Sequence, residues 1–290
     1  MIGKLTSPST IKYIMEKYDF KFSKGLGQNF LISPFVVEDI VNGAQINEED
    51  GVLEIGPGIG VMTQAMSEQA KKVVAVEIDS YLLPVLEETL ADCENVKVVP
   101  GDILKIDVAG LLKEEFDTIR PKVVANLPYY ITTPIVMMFL EEELPVSDIV
   151  VMVQKEVADR MMAPPKTKAY GALSVAVQYY SEPEIVTTVP KTAFMPQPNV
   201  TSSVIRLKVK KSGVDLKSKK LFFAVVKDAF SKRRKTLLNC LSSGGLGLSK
   251  DFLRQAFEQS GIDGVRRGET LTIEDFAVLA NTIYDLQNQA

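Results

Sequence analysis

Val52-Leu53-Glu54-Ile55-Gly56-Pro57-Gly58-Ile59-Gly60 decides how the rest of the chain is read. Four residues of strand character run into a glycine-punctuated turn, and 61–69 then carries helical periodicity. A strand entering a helix through such a turn is the building unit of parallel α/β sheets. The alternation continues downstream, with strands expected at 73–77, 96–99, 123–125 and 149–153 and helices over 80–90 and 133–142. Strands spaced by helices imply a mostly parallel sheet covered on both faces. Two further strands, 184–189 and 201–210, are joined only by the Pro-rich segment 190–198. They are expected to pair antiparallel at one edge. Upstream, 6–19 reads as a short helix and 34–44 as another, opened by Ser33-Pro34, with a basic, glycine-punctuated loop over 21–31 between them.

The C-terminal part has a different character. A polar linker at 211–220 leads into 221–241, which keeps helical periodicity through the basic run Lys232-Arg233-Arg234-Lys235. Helices at 250–259 and 272–286 follow, the second opened by a Thr272-x-x-Asp275 cap. The expected organisation is an α/β domain over 1–210, a linker over 211–220 and a small α-helical domain over 221–290.

Composition narrows the chemistry. Of 290 residues 46% are hydrophobic and 24% charged, which is ordinary for a globular protein. No apolar run approaches a membrane span, and the N-terminal residues lack a signal-peptide core, so a cytoplasmic protein is expected. Cys93 and Cys240 are the only cysteines, which argues against a disulfide framework. The chain has no histidine. That excludes His-based triads, His general bases and ordinary zinc sites, so no metal is expected. Residues 1–190 hold 16 Lys and Arg against 28 Asp and Glu, whereas 191–290 hold 17 against 9. A basic end on an acidic body suggests a polyanionic partner, with a merely solvated face as the alternative.

The strand ends carry the candidate site. Gly56-x-Gly58-x-Gly60 lets a ligand approach a helix N-terminus, but the dinucleotide pattern G-x-G-x-x-G would need glycine where Val61 stands. Glu77 ends the second strand, 21 residues beyond Gly56, where an acid can hold ribose hydroxyls. The two together suit S-adenosylmethionine, which has no pyrophosphate to cradle. Asp102 ends the third strand, either as an acceptor for the cofactor's adenine amino group or as a turn cap. Asn126-Leu127-Pro128-Tyr129 follows the fourth. There the Asn oxygen and the carbonyl of Leu127 or Pro128 can accept the two N–H groups of an exocyclic amine, while Tyr129 stacks on the ring. A strand-ending turn with core tyrosines is the plainer alternative. The stretch is similar to the Asn/Asp-Pro-Pro-Tyr signature of N6-adenine methyltransferases, with Leu in second place.

Taken in order, the motifs resemble the ribosomal RNA adenine N6,N6-dimethyltransferase family, and within it the bacterial small-subunit enzymes. They are Leu26-Gly27-Gln28-Asn29-Phe30-Leu31, Glu54 to Gly60, Glu77-Ile78-Asp79, Gly101-Asp102 and Asn126 to Tyr129. Gln154 to Arg160, Tyr170-Gly171-x-Leu173-Ser174, Phe194-x-Pro196-x-Pro198-x-Val200-x-Ser202 and Arg233-Arg234-Lys235-x-Leu237-x-Asn239 complete the set. The resemblance implies a Rossmann-like, S-adenosylmethionine-dependent methyltransferase sheet with a small C-terminal helical domain. It implies that Asn29 and Leu31 close over the cofactor's methionine end, that Gly56 and Gly58 approach it, and that Glu77 and Asp102 take its ribose and adenine. Asn126 then lies between cofactor and substrate. The target base would be flipped against Tyr129, with Phe194 as opposite face or core anchor. Arg233, Arg234 and Lys235 would touch RNA. The implied substrate is a pair of adjacent adenosines near the 3′ end of 16S rRNA in a partly assembled 30S subunit, and the implied state is a monomer. Three rivals remain: a large-subunit rRNA methyltransferase, a non-catalytic rRNA-binding assembly factor, and a dinucleotide oxidoreductase, the last weakened by Val61.

Overall fold

The computed structural model describes residues 3–22, 27–211 and 213–289. Leu26 of the Leu26–Leu31 motif, the 23–26 part of the basic loop and Ser212 of the expected linker lie outside the described residues. The chain forms two compact units, one of residues 1–158 and 182–210, the other of 159–181 and 211–290.

The first unit runs α1 (Pro8–Lys17), β1 (Phe30–Leu31), α2 (Pro34–Ala44), β2 (Gly51–Ile55), α3 (Val61–Ser67), β3 (Lys72–Glu77), α4 (Leu83–Thr89), β4 (Val96–Pro100), α5 (Val108–Phe116), β5 (Lys122–Ala125), α6 (Tyr129–Glu141) and β6 (Asp148–Gln154). The chain crosses into the second unit within α7 (Lys155–Met162), makes α8 (Ala172–Tyr180), and returns as β7 (Ser181–Val189), β8 (Phe194–Met195) and β9 (Ser202–Val209). The second unit then adds α9 (Lys219–Ala229), α10 (Leu237–Ser242), α11 (Lys250–Ser260) and α12 (Ile273–Gln289).

A seven-stranded sheet of order β4-β3-β2-β5-β6-β9-β7 forms the frame. The five strands from β4 to β6 are parallel. β3, β2, β5 and β6 are mostly apolar and buried, because helices cover both faces, whereas the edge strand β4 has no buried residue. β9 runs antiparallel to β6, with Ser202 opposite Gln154, and β7 bonds to β9 as the edge. Ion pairs gather where the parallel strands begin. Lys72 and Lys97 share Glu115, Lys122 meets Asp50 at 2.9 Å, and Arg206 meets Asp148 at 2.8 Å. The opposite edge, where the strands end, is left to the loops.

Several elements depart from the sequence expectation. α6 starts at Tyr129 rather than 133, because Pro128 has a φ suited to a helix entry and its carbonyl already accepts from Ile131 N–H and Thr132 Oγ1. Phe30–Leu31 and Phe194–Met195, expected in loops, pair as an antiparallel ribbon, with Leu31 opposite Phe194. The helix expected over 221–241 breaks after Ala229. Ser231 bonds back to the Asp228 carbonyl, the Asp228 carboxylate takes Gly245 and Leu246 N–H, and Thr236 caps a new helix. The run Lys232 to Lys235 therefore lies in an exposed turn, not on a helix.

Residues 159–181, expected in the first domain, group with the helical unit. Tyr179 and Tyr180 on α8 pack on Phe222 and Phe223 of α9, with centroids 5.4 Å (Tyr179–Phe222) and 5.6 Å (Tyr180–Phe223) apart. That unit carries 16 Lys and Arg against 10 Asp and Glu, so the charge asymmetry follows the packing. Among the described residues no helix is long and apolar enough to cross a membrane.

Candidate active site

The strand order reverses at β2, which has β3 on one side and β5 on the other. Open α/β sheets bind ligands at the carboxyl ends of strands around such a switch point. A cavity lies there. The loops after β2, β3, β4 and β5 line it, together with Gly27 to Leu31 and Phe194. Every cofactor and catalytic candidate named from sequence lines this one cavity: Asn29, Leu31, Gly56, Gly58, Glu77, Asp102, Asn126, Leu127, Pro128, Tyr129 and Phe194.

The glycines are required by geometry. Gly56 and Gly58 have φ of +68° and +62°, where an L side chain is strained. A Cβ on Gly58 would also come within 3.2 Å of the Phe30 ring. The bend turns the Gly58 N–H toward Glu77, whose Oε2 accepts it at 3.2 Å while Oε1 accepts Asp79 N–H at 2.7 Å. Glu77 is only 4% exposed, and burial pushes its carboxyl above the ordinary value against the pull of those backbone donors. Asp79 in turn accepts from Gln28 Nε2 at 2.8 Å, which ties the 27–31 segment to the end of β3.

Asp102 has two engagements. Its carboxylate pairs with Lys105 at 3.0 Å and caps Leu104 N–H, and these hold it below the usual carboxylate range. It is thus a turn cap and a cavity residue together.

Asn126 donates from Nδ2 to the Asn29 carbonyl at 3.2 Å, which leaves its Oδ1 as the acceptor. Asn29 is itself held by Nδ2 donating to Gly27 O at 2.9 Å. Tyr129 sits in the first turn of α6, and its hydroxyl is pinned to Ser202 Oγ at 2.6 Å on β9. Phe194 is 2% exposed and packs in the core as an anchor that also lines the cavity. Leu31 is likewise a core residue with one side on the cavity.

Ile103 was not named from the sequence, and Ile78 only within Glu77-Ile78-Asp79, with no role of its own. Each follows a strand-end acid and lines the cavity, and Ile78 is 52% exposed there. An apolar residue outside a strand, where a polar turn is the norm, was the available signal. Arg233, Arg234 and Lys235 belong to the second unit and are exposed. The Arg233 guanidinium donates to the Lys168 carbonyl.

Comparison with known proteins follows the same line. The family model described as ribosomal RNA adenine dimethylase matches residues 19–285. The chain is 57% identical over 283 residues to "Ribosomal RNA small subunit methyltransferase A" of Alkaliphilus metalliredigens, covering 97% of this chain and 99% of that one. It is 55% identical over 284 residues to the protein of that name from Clostridioides difficile, covering 97% and 98%. Among solved structures, a dimethyladenosine transferase from Plasmodium falciparum superposes with a TM-score of 0.73 at 25% identity, over 86% of this chain and 95% of that one. The 23S rRNA methyltransferase ErmE shares the fold, with a TM-score of 0.66 at 24% identity, over 88% and 99%. Switch-point cavity, glycine turn and Asn-Leu-Pro-Tyr loop thus occur in a chain that belongs to the ribosomal RNA adenine dimethylase family.

Proposed function

We propose that the protein dimethylates N6 of two adjacent adenosines near the 3′ end of 16S rRNA, with S-adenosylmethionine as methyl donor. Its substrate is a partly assembled 30S subunit in the cytoplasm, and it acts as a monomer. The observation that carries this is the orientation of Asn126: one N–H of its amide is held by Asn29 O, which fixes the flip and presents its oxygen as the acceptor for an incoming amine.

The residues fit the cofactor. Two of the roughly four acceptor positions on Glu77 are filled by backbone N–H groups, which leaves two for the two ribose hydroxyls. Gly56 and Gly58 hold the space that a side chain would fill, and Ile78 and Ile103 offer apolar walls for a purine. When bound, the cofactor supplies a sulfonium-activated methyl group.

The chain then has to present a nucleophile and hold its geometry. The adenine N6 lone pair is delocalised into the ring and is weak. For the first transfer Asn126 Oδ1 and a backbone carbonyl accept its two N–H bonds, which favours a more pyramidal nitrogen and fixes its approach. Each methyl formed on nitrogen displaces one proton to solvent, and the second transfer runs with one N–H left to bond. Pro128 O is occupied by the entry to α6, so Leu127 supplies that carbonyl. Tyr129 holds the flipped base on one face, its ring angle set by Ser202. No side-chain base is needed, consistent with a chain that has no histidine. Arg233, Arg234 and Lys235 contact phosphates without reading bases.

The test is methyl transfer to small subunits that lack the modification, with nucleoside analysis of the product. Dimethyladenosine on the small subunit supports the reading; label on large-subunit rRNA instead overturns it.

A further inference from the structure

A second cleft opens beside the first. Asn29, Pro128, Tyr129 and Tyr130 line both, and the second is completed by Gln154 and by the Pro-rich loop at Pro196 to Val200. Tyr130 is 64% exposed at this mouth. Gln154 ends β6, with its backbone held opposite Ser202, and Lys155 N–H bonds to Thr201 O at 3.1 Å. Ser202 is also the residue whose hydroxyl pins Tyr129. One residue pair on β6 and β9 therefore ties the ring proposed to stack the target base to the backbone of a glutamine that lines the adjoining cleft.

From this continuity we infer that the second cleft is a subsite for the nucleobase next to the target, with Gln154 as its specificity-determining residue and Tyr130 as its stacking platform. The inference rests on the function proposed above. A carboxamide presents an acceptor and a donor side by side, the complement of an adenine amino group and its neighbouring ring nitrogen. Guanine presents a carbonyl oxygen where adenine has the amine. Single-stranded bases are read in this way, by stacking on an aromatic ring and by bonds to the exposed edge. The site thus selects an adenosine beside the adenosine it methylates.

The test uses unmodified small subunits whose rRNA carries both adenosines, or guanosine in place of one or the other. Methyl incorporation at the remaining adenosine is measured at subsaturating subunit. For the wild type, at least one of the two replacements should lower kcat/KM by roughly 10- to 100-fold. Gln154→Ala should act on the paired and the replaced substrate at similar, lowered rates. Gln154→Glu keeps an acceptor for the amine but loses the donor to the ring nitrogen, and should slow transfer on the paired substrate while guanosine stays disfavoured. Tyr130→Ala should raise KM for the subunit, and Tyr130→Phe should restore it. A discrimination ratio in Gln154→Ala equal to that of wild type overturns the inference alone. No transfer by the wild type to any small subunit overturns the proposed function, and this subsite with it.

Discussion

Glu77→Gln separates what the carboxylate does for a ligand from what it does for the fold. The side chain accepts the Gly58 and Asp79 N–H groups, and its two remaining acceptor positions are proposed to take the two ribose hydroxyls. A glutamine has one oxygen. If that oxygen serves Asp79, an amide NH2 is set against the Gly58 N–H, and the ribose loses an acceptor and a charge. One charge-assisted bond contributes about 1.5–3 kcal/mol, so the Kd for S-adenosylmethionine should rise roughly 10- to 150-fold. Stability should change far less. An unserved Gly58 N–H costs about 1–3 kcal/mol, but the uncharged amide escapes the desolvation that raises the Glu77 carboxyl. The net should lie within about 1 kcal/mol, or roughly 2–4 °C in Tm. Calorimetric titration with S-adenosylmethionine and S-adenosylhomocysteine, beside thermal melts of both proteins, gives the two numbers. An affinity within threefold of wild type would refute the ribose assignment, and a lowered Tm with unchanged affinity would make Glu77 only a brace for the glycine turn.

Glu54 lies wholly inside on β2, its oxygens without a geometric hydrogen-bond partner among the described residues, and burial pushes its carboxyl up to about 8. The folded state then keeps a proton that the unfolded state releases above about 4.5, so stability should fall as pH rises, by up to about 1.4 kcal/mol per unit. Urea unfolding at pH 5.5, 6.5 and 7.5 should show that slope in wild type and a flatter one in Glu54→Gln; equal slopes would contradict it. Gly58→Ala forces a side chain into φ +62° and against Phe30, at a cost of about 1–2 kcal/mol, read as a Tm lower by roughly 2–8 °C. Arg233→Ala with Arg234→Ala should weaken small-subunit binding uniformly across sequences and reduce its salt slope by roughly 1 for each phosphate no longer neutralised, with S-adenosylmethionine affinity unchanged. A preserved salt slope would remove the turn from the RNA interface.

What could be read from the sequence was what local pattern encodes. The four inner parallel strands are short, mostly apolar runs buried on both faces, so they stand out from the amphipathic helices between them. The Thr272-x-x-Asp275 box appears as reciprocal bonds at 3.1 and 3.3 Å. α5 was not expected from the sequence; Asp107 caps it, accepting from Gly110 N–H at 2.9 Å. Other features depend on partners far along the chain. Two-residue strands have no periodicity, and Leu31 meets Phe194 across more than 160 positions. The membership of 159–181 depends on tyrosines of α8 packing on phenylalanines of α9. The break after Ala229 depends on Asp228 turning to two backbone groups beyond α10.

The candidate site divides the same way. Glu77 and Asp102 are found by their position at strand ends, and Gly56 and Gly58 by the turn they make. Which carbonyl joins Asn126 was open in the sequence between Leu127 and Pro128. The choice of Leu127 rests on α6 beginning at Tyr129 and using Pro128 O, which a proline-containing turn does not announce. The direction of the Asn126 amide depends on Asn29, 97 residues away.

Asn126 is where the account is most exposed, because its oxygen is asked to present the amine and nothing else. The direct measurement is transfer from labelled S-adenosylmethionine to unmodified small subunits, with large subunits in parallel, comparing wild type with Asn126→Ala and digesting the products to nucleosides. Dimethyladenosine should form on the small subunit alone, reduced at least about 100-fold in the variant while its S-adenosylmethionine affinity stays within a few-fold. Full dimethylation by Asn126→Ala, or label on the large subunit, would contradict it.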